Sequence, residues 1–116
     1  MMLDWNAYRD QINAAVKEMS AANPDIVKAY AGLHHANAKS TRLDAKVREL
    51  IALGVAVSLR CDGCITAHTD AAIKAGATKE DIVDALGVAI MVNAGAALVY
   101  SARTIDAYDV KTAQKA

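Results

Sequence analysis

The stretch DAKVRELIALGVAVSLRCDGCITAH, residues 44–68, decides the fold. Asp44 is suited to cap the start of a helix, and beyond Arg48 that helix is apolar almost all round. A helix of that kind is buried, so its second half should lie at the centre of the protein. The apolar run breaks around Arg60 to Gly63, and another helix is expected over about 62–75. The stretch therefore predicts two consecutive helices joined by a short turn.

The rest of the chain continues this helical pattern. Pro24 fits the first turn of a helix, Gly76 is suited to follow the end of one, and Thr78 to Asp81 resembles a capping box. Asn93 to Gly95 is the expected break before a last helix, and the tail from Lys111 is expected to fray. We expect an all-α helical bundle of about six helices. They cover roughly residues 3–20, 24–38, 44–57, 62–75, 79–92 and 96–108.

Length and composition narrow the class of protein. The 116 residues, of which 54% are apolar and 22% charged, suit a single ordered domain over 1–116. Thirteen basic and thirteen acidic side chains give no net charge. That balance offers no electrostatic surface for nucleic acid or an anionic membrane, and it favours self-association. Because aromatic residues are 4% and Phe is absent, an all-β sandwich is excluded.

The longest apolar run, from Ala85 to Tyr100, bears on membranes and partners. It is interrupted by Gly87, Asn93 and Gly95 and is shorter than the ~20 residues that a membrane-spanning helix needs. We interpret it as a small-residue helix buried in the core or in a subunit interface, so a homo-oligomer is expected. The N-terminus, MMLDWNAYRDQI, is polar where a signal peptide has its apolar centre, which predicts a cytoplasmic protein without a membrane anchor.

The residues most suited to chemistry are Cys61, Cys64 and His68. At the start of a helix, a spacing of three puts both sulfurs on one face, where they can close a small disulfide or share one substrate. The free N–H groups and the dipole of a helix N-terminus favour a thiolate over a thiol. His68 follows Cys64 by one turn on the same face, where its imidazole can take the thiol proton.

Glu49 is a fourth candidate, but helical spacing does not connect it to this group, because the predicted break intervenes. A hairpin between the third and fourth helices could bring it alongside. The residues after Leu50 are apolar, where a carboxylate without a partner is costly. Glu49 therefore lies either at the mouth of a polar pocket or on the surface one turn before burial, and the periodicity leaves both open. Arg60 could add positive potential to the site.

Three interpretations of the cysteine pair remain at this point. Free cysteines are often small core residues, although two of them around Asp-Gly in a polar helix start are harder to explain by packing. Cys61, Cys64, His68 and Glu49 could together bind zinc, but a single C-x-x-C-x-x-x-H is a weak signal for a structural metal site. The third interpretation, which we favour, is a redox dithiol in a reducing compartment.

A pair of adjacent histidines, His34 and His35, lies late in the second predicted helix. Neighbours on a helix cannot both face one metal ion. We interpret them as part of a partly exposed polar face, and Tyr30 as a packing residue.

The order of these residues is similar to that of a known family. Glu49 followed by Cys61-x-x-Cys64-x-x-x-His68 resembles the alkylhydroperoxidase AhpD-like core of the carboxymuconolactone decarboxylase superfamily. The flanking sequences are similar as well, and they are LDAKVRELI at 43–51, the pattern from His68 to Ile82, and Ala94 to Ala97. The resemblance covers roughly residues 25–108, which is nearly the whole domain.

The resemblance implies an all-helical fold that assembles into trimers or hexamers and needs no metal or organic cofactor. It implies that Cys64 is the peroxidatic nucleophile, and that Cys61 is the more exposed resolving cysteine that exchanges with a thiol or dithiol reductant. It also implies that Glu49 and His68 form a relay for the proton of the nucleophilic thiol.

One position departs from the fullest form of the motif. The best-characterised branch has a histidine directly before the second cysteine, where this chain has Gly63. The decarboxylase branch generally lacks the cysteine pair. The leading hypothesis is therefore a thiol-dependent peroxidase acting on a peroxide. The alternatives are a general thiol–disulfide oxidoreductase acting on a disulfide substrate, and a decarboxylase-like or non-catalytic oligomeric protein.

Overall fold

The computed structural model describes residues 1–39 and 41–114, and within them every regular element is an α-helix. The five helices are α1 (Trp5–Ala22), α2 (Pro24–Ala38), α3 (Ala45–Leu59), α4 (Asp62–Lys74) and α5 (Lys79–Ala113). The prediction of an all-α fold is confirmed, whereas the expected number of six helices is wrong.

Local capping signals set where α3 and α5 begin. Asp44 Oδ1 accepts a hydrogen bond from the backbone N–H of Val47 at 2.8 Å. At the start of α5, Asp81 N donates to Thr78 Oγ1 at 3.1 Å, and Thr78 N donates to Asp81 Oδ2 at 2.9 Å. These bonds satisfy backbone donors that have no partner inside their helices. The predicted cap and the predicted capping box are therefore both confirmed.

The predictions for other helix ends are mixed. Pro24 occupies the first turn of α2, as expected. Gly76 follows α4 with a φ of 89°, a left-handed conformation that glycine adopts without a steric penalty. The expected fraying from Lys111 is wrong as far as Ala113, which is still helical. Residues 115–116 of that tail lie outside the described residues.

The break predicted at Asn93 to Gly95 is also wrong, because α5 runs without interruption for 35 residues. The side-chain amide of Asn93 donates 2.7 Å hydrogen bonds to Ala89 O and to Ser58 Oγ on α3. This amide is therefore engaged by the helix and by its packing partner, and is not available for a turn. A glycine inside a helix costs about 1 kcal/mol relative to alanine, which a long packed helix sustains. The segment 96–108, which was predicted to be a separate sixth helix, is therefore part of the second half of α5.

The central helix is α3, which packs against α4 on one side and α5 on another. The helix α1 packs against α4 and α2. The buried side chains of the described residues are mostly small, and they are Leu53, Ala56, Thr66, Ala72 and Ala89. Two of them, Leu53 and Ala56, belong to the second half of α3, but Val55 and Leu59 of the same half are 52% and 72% exposed. The predicted central position of that segment is therefore confirmed only in part.

Much of the apolar surface of the protomer is uncovered. Its accessible surface is 9222 Å², against about 6,100 Å² for a compact monomer of 12.2 kDa. The radius of gyration is 19.6 Å, where a compact chain of this length has about 13 Å. On the second half of α5, Leu98 and Val99 are 75% and 74% exposed. The extra surface therefore consists in part of apolar residues that the protomer itself does not cover.

By length and hydropathy alone, α5 could cross a membrane, so the expectation that its apolar run is too short to do so is wrong. Its most apolar stretch of 18 residues has a mean hydropathy of 2.0, and 6% of that stretch is buried. A single helix of this kind is weak evidence, because the buried core helix of a soluble protein and a signal sequence can have the same length and composition.

The capping box at the start of α5 makes a pH-dependent contribution to stability. The backbone N–H of Thr78, followed by the Lys46 ammonium 2.9 Å away, holds the pKa of Asp81 below its usual range. A carboxyl group with a lowered pKa in the folded state stabilises the fold above its unfolded pKa. That contribution is lost as the pH falls through the folded pKa.

We expect Asp81→Asn to lower the free energy of unfolding at pH 7, and the difference from the native chain to disappear as the pH falls below 3.8, the ordinary value for Asp. Urea unfolding at a fixed protein concentration between pH 7 and pH 2.5 measures it. Asp84→Asn, at an exposed position on the same helix, is the control. An Asp81→Asn difference that is the same at both ends of this range contradicts the prediction.

Candidate active site

A tight turn brings α4 back along α3. Arg60, which ends α3, has a φ of 54°, a left-handed conformation that is uncommon for a residue other than glycine. The next backbone N–H, that of Cys61, donates to Ala56 O at 3.0 Å. Since only Arg60 and Cys61 separate the two helices, α3 and α4 form a hairpin. Residues in the middle of α3 therefore face residues in the middle of α4.

The two cysteines occupy the first turn of α4. Cys61 is the N-cap residue, and its Sγ accepts a hydrogen bond from the backbone N–H of Cys64 at 3.1 Å. The two sulfurs are joined in a disulfide, with Cα atoms 5.2 Å apart. The structure therefore shows the oxidised form of the pair, one of the two outcomes that the spacing allowed. The hydrogen bond at Cys61 Sγ is one that would stabilise a thiolate in the reduced form.

Glu49 and His68 face each other across the hairpin. Glu49 Oε2 lies 2.7 Å from His68 Nδ1, and the two side chains are 24% and 25% exposed. Of the two positions that the sequence left open for Glu49, the structure has the partly buried one with a polar partner. Because an ionised carboxylate can only accept, this bond puts a proton on Nδ1. A neutral imidazole then has its free lone pair at Nε2, where it can accept a proton.

A pocket of about 350 Å³ opens beside this pair. Cys64 and His68 are both among the residues that line it. Most of the remaining wall is apolar and comes from α3. The other lining residues are Asn37, Leu43, Arg48, Ile51, Ala52, Val55, Ala56 and Leu59. The pocket is therefore a mostly apolar space of small-molecule size whose wall includes one cysteine of the pair and the histidine bonded to Glu49.

The two arginines near the site have different positions. Arg48 lines the pocket, and its Nη1 donates to Leu43 O at 2.7 Å. Arg60 is an exposed residue at the turn, where its backbone conformation is the feature that shapes the site.

The zinc interpretation finds no support in the arrangement of side chains. Within residues 1–39 and 41–114, no three His, Cys, Asp or Glu side chains form a group that could hold a metal ion. The sulfurs of Cys61 and Cys64 are bonded to each other.

The helix α1 supports α4 from the side. Arg9 Nη1 lies 2.6 Å from Asp70 Oδ2 and donates a longer bond, 3.4 Å, to Thr66 O. The Thr66 hydroxyl in turn donates to Trp5 O at 3.3 Å. Positions 66 and 70 alternate with 64 and 68 along α4, so these bonds lie on a different face from the cysteine and the histidine. They fix α4 without occupying the pocket.

Sequence reasoning missed His34 and Tyr30 as neighbours of the site. The rings of His34 and His68 are nearly parallel, at 10°, with centroids 6.4 Å apart. Tyr30 is 59% exposed rather than packed, and its hydroxyl oxygen is 3.1 Å from His34 Nε2. The spacing of four between Tyr30 and His34 was the available signal, because it puts two polar side chains in contact on one helix face. Nothing in the sequence shows that this face turns toward α4.

The chain matches the model of one family and is similar to several curated proteins. The model of the carboxymuconolactone decarboxylase family matches residues 24–107. An uncharacterized protein of Haemophilus influenzae is 44% identical over 113 residues, which is 97% of this chain and the whole of that protein. The uncharacterized protein 4 of the cox locus in Paracoccus denitrificans is 34% identical over 97 residues, covering 84% of this chain and 87% of that one.

The fold of this chain is also similar to that of proteins with solved structures. A carboxymuconolactone decarboxylase family protein from Legionella pneumophila, crystallised in its apo form, has a TM-score of 0.73 and 30% identity. The match covers 90% of this chain and 94% of that one. A protein from Methanobacterium thermoautotrophicum, with a TM-score of 0.70 and 24% identity over 77% of this chain and 97% of that one, has the same fold.

Proposed function

The chain belongs to the carboxymuconolactone decarboxylase family, and from that premise we propose that it is a thiol-dependent peroxidase. One observation carries the proposal: Cys64 lines a pocket together with His68, and His68 is hydrogen-bonded to the carboxylate of Glu49. This arrangement provides a sulfur that a small peroxide can reach, a base to take its proton, and a group that orients the base.

The reaction has three stages, which are reduction of the peroxide, formation of the disulfide and recovery of the two thiols. His68 Nε2 takes the Cys64 thiol proton, and the thiolate attacks the O–O bond of a peroxide, forming a sulfenic acid and an alkoxide or hydroxide. The proton on His68 then neutralises that leaving group as an alcohol or water. The Cys61 thiol condenses with the sulfenic acid, which releases water and forms the disulfide seen in the structure. A thiol or dithiol reductant restores both thiols by disulfide exchange and is itself oxidised.

Glu49 acts through His68 in this scheme. Its 2.7 Å hydrogen bond to Nδ1 fixes the tautomer that has Nε2 free, and its charge stabilises the imidazolium formed when the thiol loses its proton. A partly buried position strengthens this interaction compared with an exposed pair, because less water screens the charges.

We expect Cys64→Ser to lower peroxide reduction to the uncatalysed background. Cys61→Ser should retain one round of peroxide consumption and leave a sulfenic acid on Cys64, since only the resolving thiol is missing. Stopped-flow peroxide consumption with the reduced protein, followed by trapping of the sulfenic acid with dimedone and mass spectrometry, measures both. If Cys64→Ser consumes peroxide as fast as the native chain, Cys64 does not have the assigned role.

We expect Glu49→Gln to slow peroxide reduction at least about tenfold, because general base catalysis contributes roughly 10²–10⁴ and the substitution weakens the orientation and charge of the base. The amide keeps the size of the side chain, so the native helix content in circular dichroism should be retained. Glu18→Gln, on an exposed part of α1, is the matched control. Equal rates for the two variants would remove Glu49 from the proposed relay.

A second candidate, a general thiol–disulfide oxidoreductase, is favoured by the open end of α4. Apart from its chain neighbours and its own helix backbone, a Cβ added at Gly63 meets no described atom within 4 Å, so the turn between the cysteines is open on that side. The discriminating measurement is the ratio of two second-order rate constants, one for a model disulfide and one for an alkyl hydroperoxide. A ratio far above one favours this candidate, and a ratio far below one favours the peroxidase.

We also propose that the protein self-associates, and that further copies of the chain cover the exposed apolar surface of each protomer. The excess of accessible surface, about 3,000 Å² per protomer, exceeds the ~800 Å² that each partner buries in a standard interface. The absence of net charge in the sequence does not oppose association of identical chains. The small residues Gly87, Ala94 and Gly95 allow close approach of a neighbouring helix.

We expect the mass in solution to be three or six times 12.2 kDa by light scattering at micromolar concentration, without detergent. Leu98→Glu should lower this mass, since it places a charge on a residue of α5 that is 75% exposed in the protomer. Met2→Glu adds the same charge at a 99% exposed position away from α5 and should leave the mass unchanged. A stable monomer, or recovery of the native chain only with membranes or detergent, contradicts the proposal.

A further inference from the structure

A second pocket, of about 490 Å³, lies between α3 and α5, and we call it the α3–α5 groove. Among the described residues that line it, Ser58 has the one polar side chain. On the α5 side, Val88 and Val92 are more than half exposed. In the isolated protomer, the groove therefore exposes a nearly continuous apolar surface to water.

The α3–α5 groove is continuous with the pocket beside the disulfide. Ile51, Val55 and Leu59 line both spaces, and each of them is more than half exposed. Because they follow one another at spacings of four along α3, they form one ridge between the two spaces. Whatever covers this ridge from the groove side also closes the apolar side of the pocket that Cys64 and His68 line.

The second half of α5 extends beyond the helix that α5 packs against. Lys46 pairs with Asp81, and Ser58 pairs with Asn93, so α3 and α5 run parallel with the same offset of 35 positions at both pairs. Since α3 ends one residue after Ser58, the part of α5 beyond Asn93 has no turn of α3 beside it. We call residues 94–113 the projecting segment, which is roughly 30 Å long at 1.5 Å per residue. Among the described helices, α5 packs against α3 alone, so this segment is uncovered in its own protomer.

The projecting segment has the length and the composition to cover the groove of another copy. Leu98, Ala102 and Ile105 follow at spacings of four and three, which puts them on one face of the helix. Leu98 and Ile105 are 75% and 63% exposed. The groove runs along α3, whose 15 residues are about 22 Å long, so the segment can span it. Because α5 is one uninterrupted helix, the segment cannot fold back onto the groove of its own protomer, and the occupant that fits belongs to a neighbouring copy.

On the basis of the proposed peroxidase function, we propose that the projecting segment of a neighbouring copy lies in the α3–α5 groove and completes the apolar wall of the active-site pocket. This contact displaces water from Ile51, Val55 and Leu59. The completed wall favours a hydroperoxide with an apolar substituent over hydrogen peroxide. Both cysteines, His68 and Glu49 belong to one protomer, so the neighbour adds no reacting group and changes only which peroxide binds well.

Charge substitutions on the two sides of the contact test its effect on the site. Val92→Glu changes the groove, and Leu98→Glu changes the projecting segment. In each variant, the ratio of kcat/KM for cumene hydroperoxide to that for hydrogen peroxide should fall at least about fivefold, because the apolar wall is left open to water. The loss should be a higher KM for cumene hydroperoxide, with the rate for hydrogen peroxide retained. Gln11→Glu adds the same charge at an exposed position of α1 and should keep the native ratio, and native ratios in both test variants overturn the proposal.

Mixing of variants tests whether the wall comes from a second chain. Val92→Glu retains an intact projecting segment, whereas Leu98→Glu retains an intact groove. The double variant Val92→Glu/Cys64→Ser has no peroxidatic thiol, so it can supply only its segment. Added in excess to Leu98→Glu, it should restore the native ratio, and Leu98→Glu/Cys64→Ser should not. Equal effects of the two double variants overturn the proposal.

Photo-crosslinking of the full-length protein identifies the occupant without any peroxide. In Val92→p-benzoylphenylalanine, the photoreactive group is on the groove wall and does not line the active-site pocket. Irradiation should give a product of twice 12.2 kDa, in which mass spectrometry finds the link in residues 94–113 of the second copy. Gln11→p-benzoylphenylalanine is the control and should give no link to that segment. A link from position 92 to any other segment, or no product of this mass, overturns the proposal.

The cross-link and the Cys64→Ser assay distinguish the two proposals. A protein that reduces no peroxide but links position 92 to residues 94–113 contradicts the proposed function and leaves the contact between copies in place. A working peroxidase whose groove links to another segment contradicts only the completion of the pocket by the neighbour.

Discussion

Only Arg60 and Cys61 separate α3 from α4, and the site depends on the geometry of this short connection. The left-handed conformation at Arg60 reverses the chain, and Cys61 then begins α4 by capping it with its own sulfur. The same reversal puts Glu49 within 2.7 Å of His68. A longer or more flexible connection would allow α4 to shift along α3, which would separate His68 from Glu49. One turn thus fixes both the disulfide and the hydrogen bond between Glu49 and His68.

Features that depend on nearby residues could be predicted from the sequence, and features that depend on distant ones could not. The cap at Asp44 and the capping box at Thr78 follow from hydrogen bonds between residues three apart, which the sequence displays directly. The break expected at Asn93 was wrong because its amide bonds to Ser58, 35 positions away. The proximity of His34 to His68 was missed for the same reason, because α2 is held in place by packing against α1, which in turn packs against α4.

The small side chains that form the core also account for the exposed surface. Ala56, Ala72 and Ala89 allow the helices to approach closely, but each contributes little buried apolar area. A protomer held by such contacts leaves larger residues such as Leu98 on its outside. The apolar composition of α5 then has a consistent explanation as surface shared among copies in the proposed assembly. The hydrogen bond from Asn93 to Ser58 ties α5 to the helix that carries Glu49, so burial of α5 in an assembly would also stabilise the site.

The two cysteines are chemically similar but have different surroundings, and this difference gives the proposed cycle its direction. Cys64 lines the pocket with His68, so in the proposed cycle it is the sulfur that a small peroxide meets together with a base. Cys61, at the N-cap, accepts the backbone N–H of Cys64 at 3.1 Å, a bond that stabilises negative charge on its sulfur. In the proposed exchange the reductant attacks Cys61 and expels Cys64 as a thiolate, to which His68 in its protonated form can return a proton. In the proposed cycle, the helix terminus thus stabilises negative charge on Cys61, and the relay of His68 and Glu49 stabilises negative charge on Cys64.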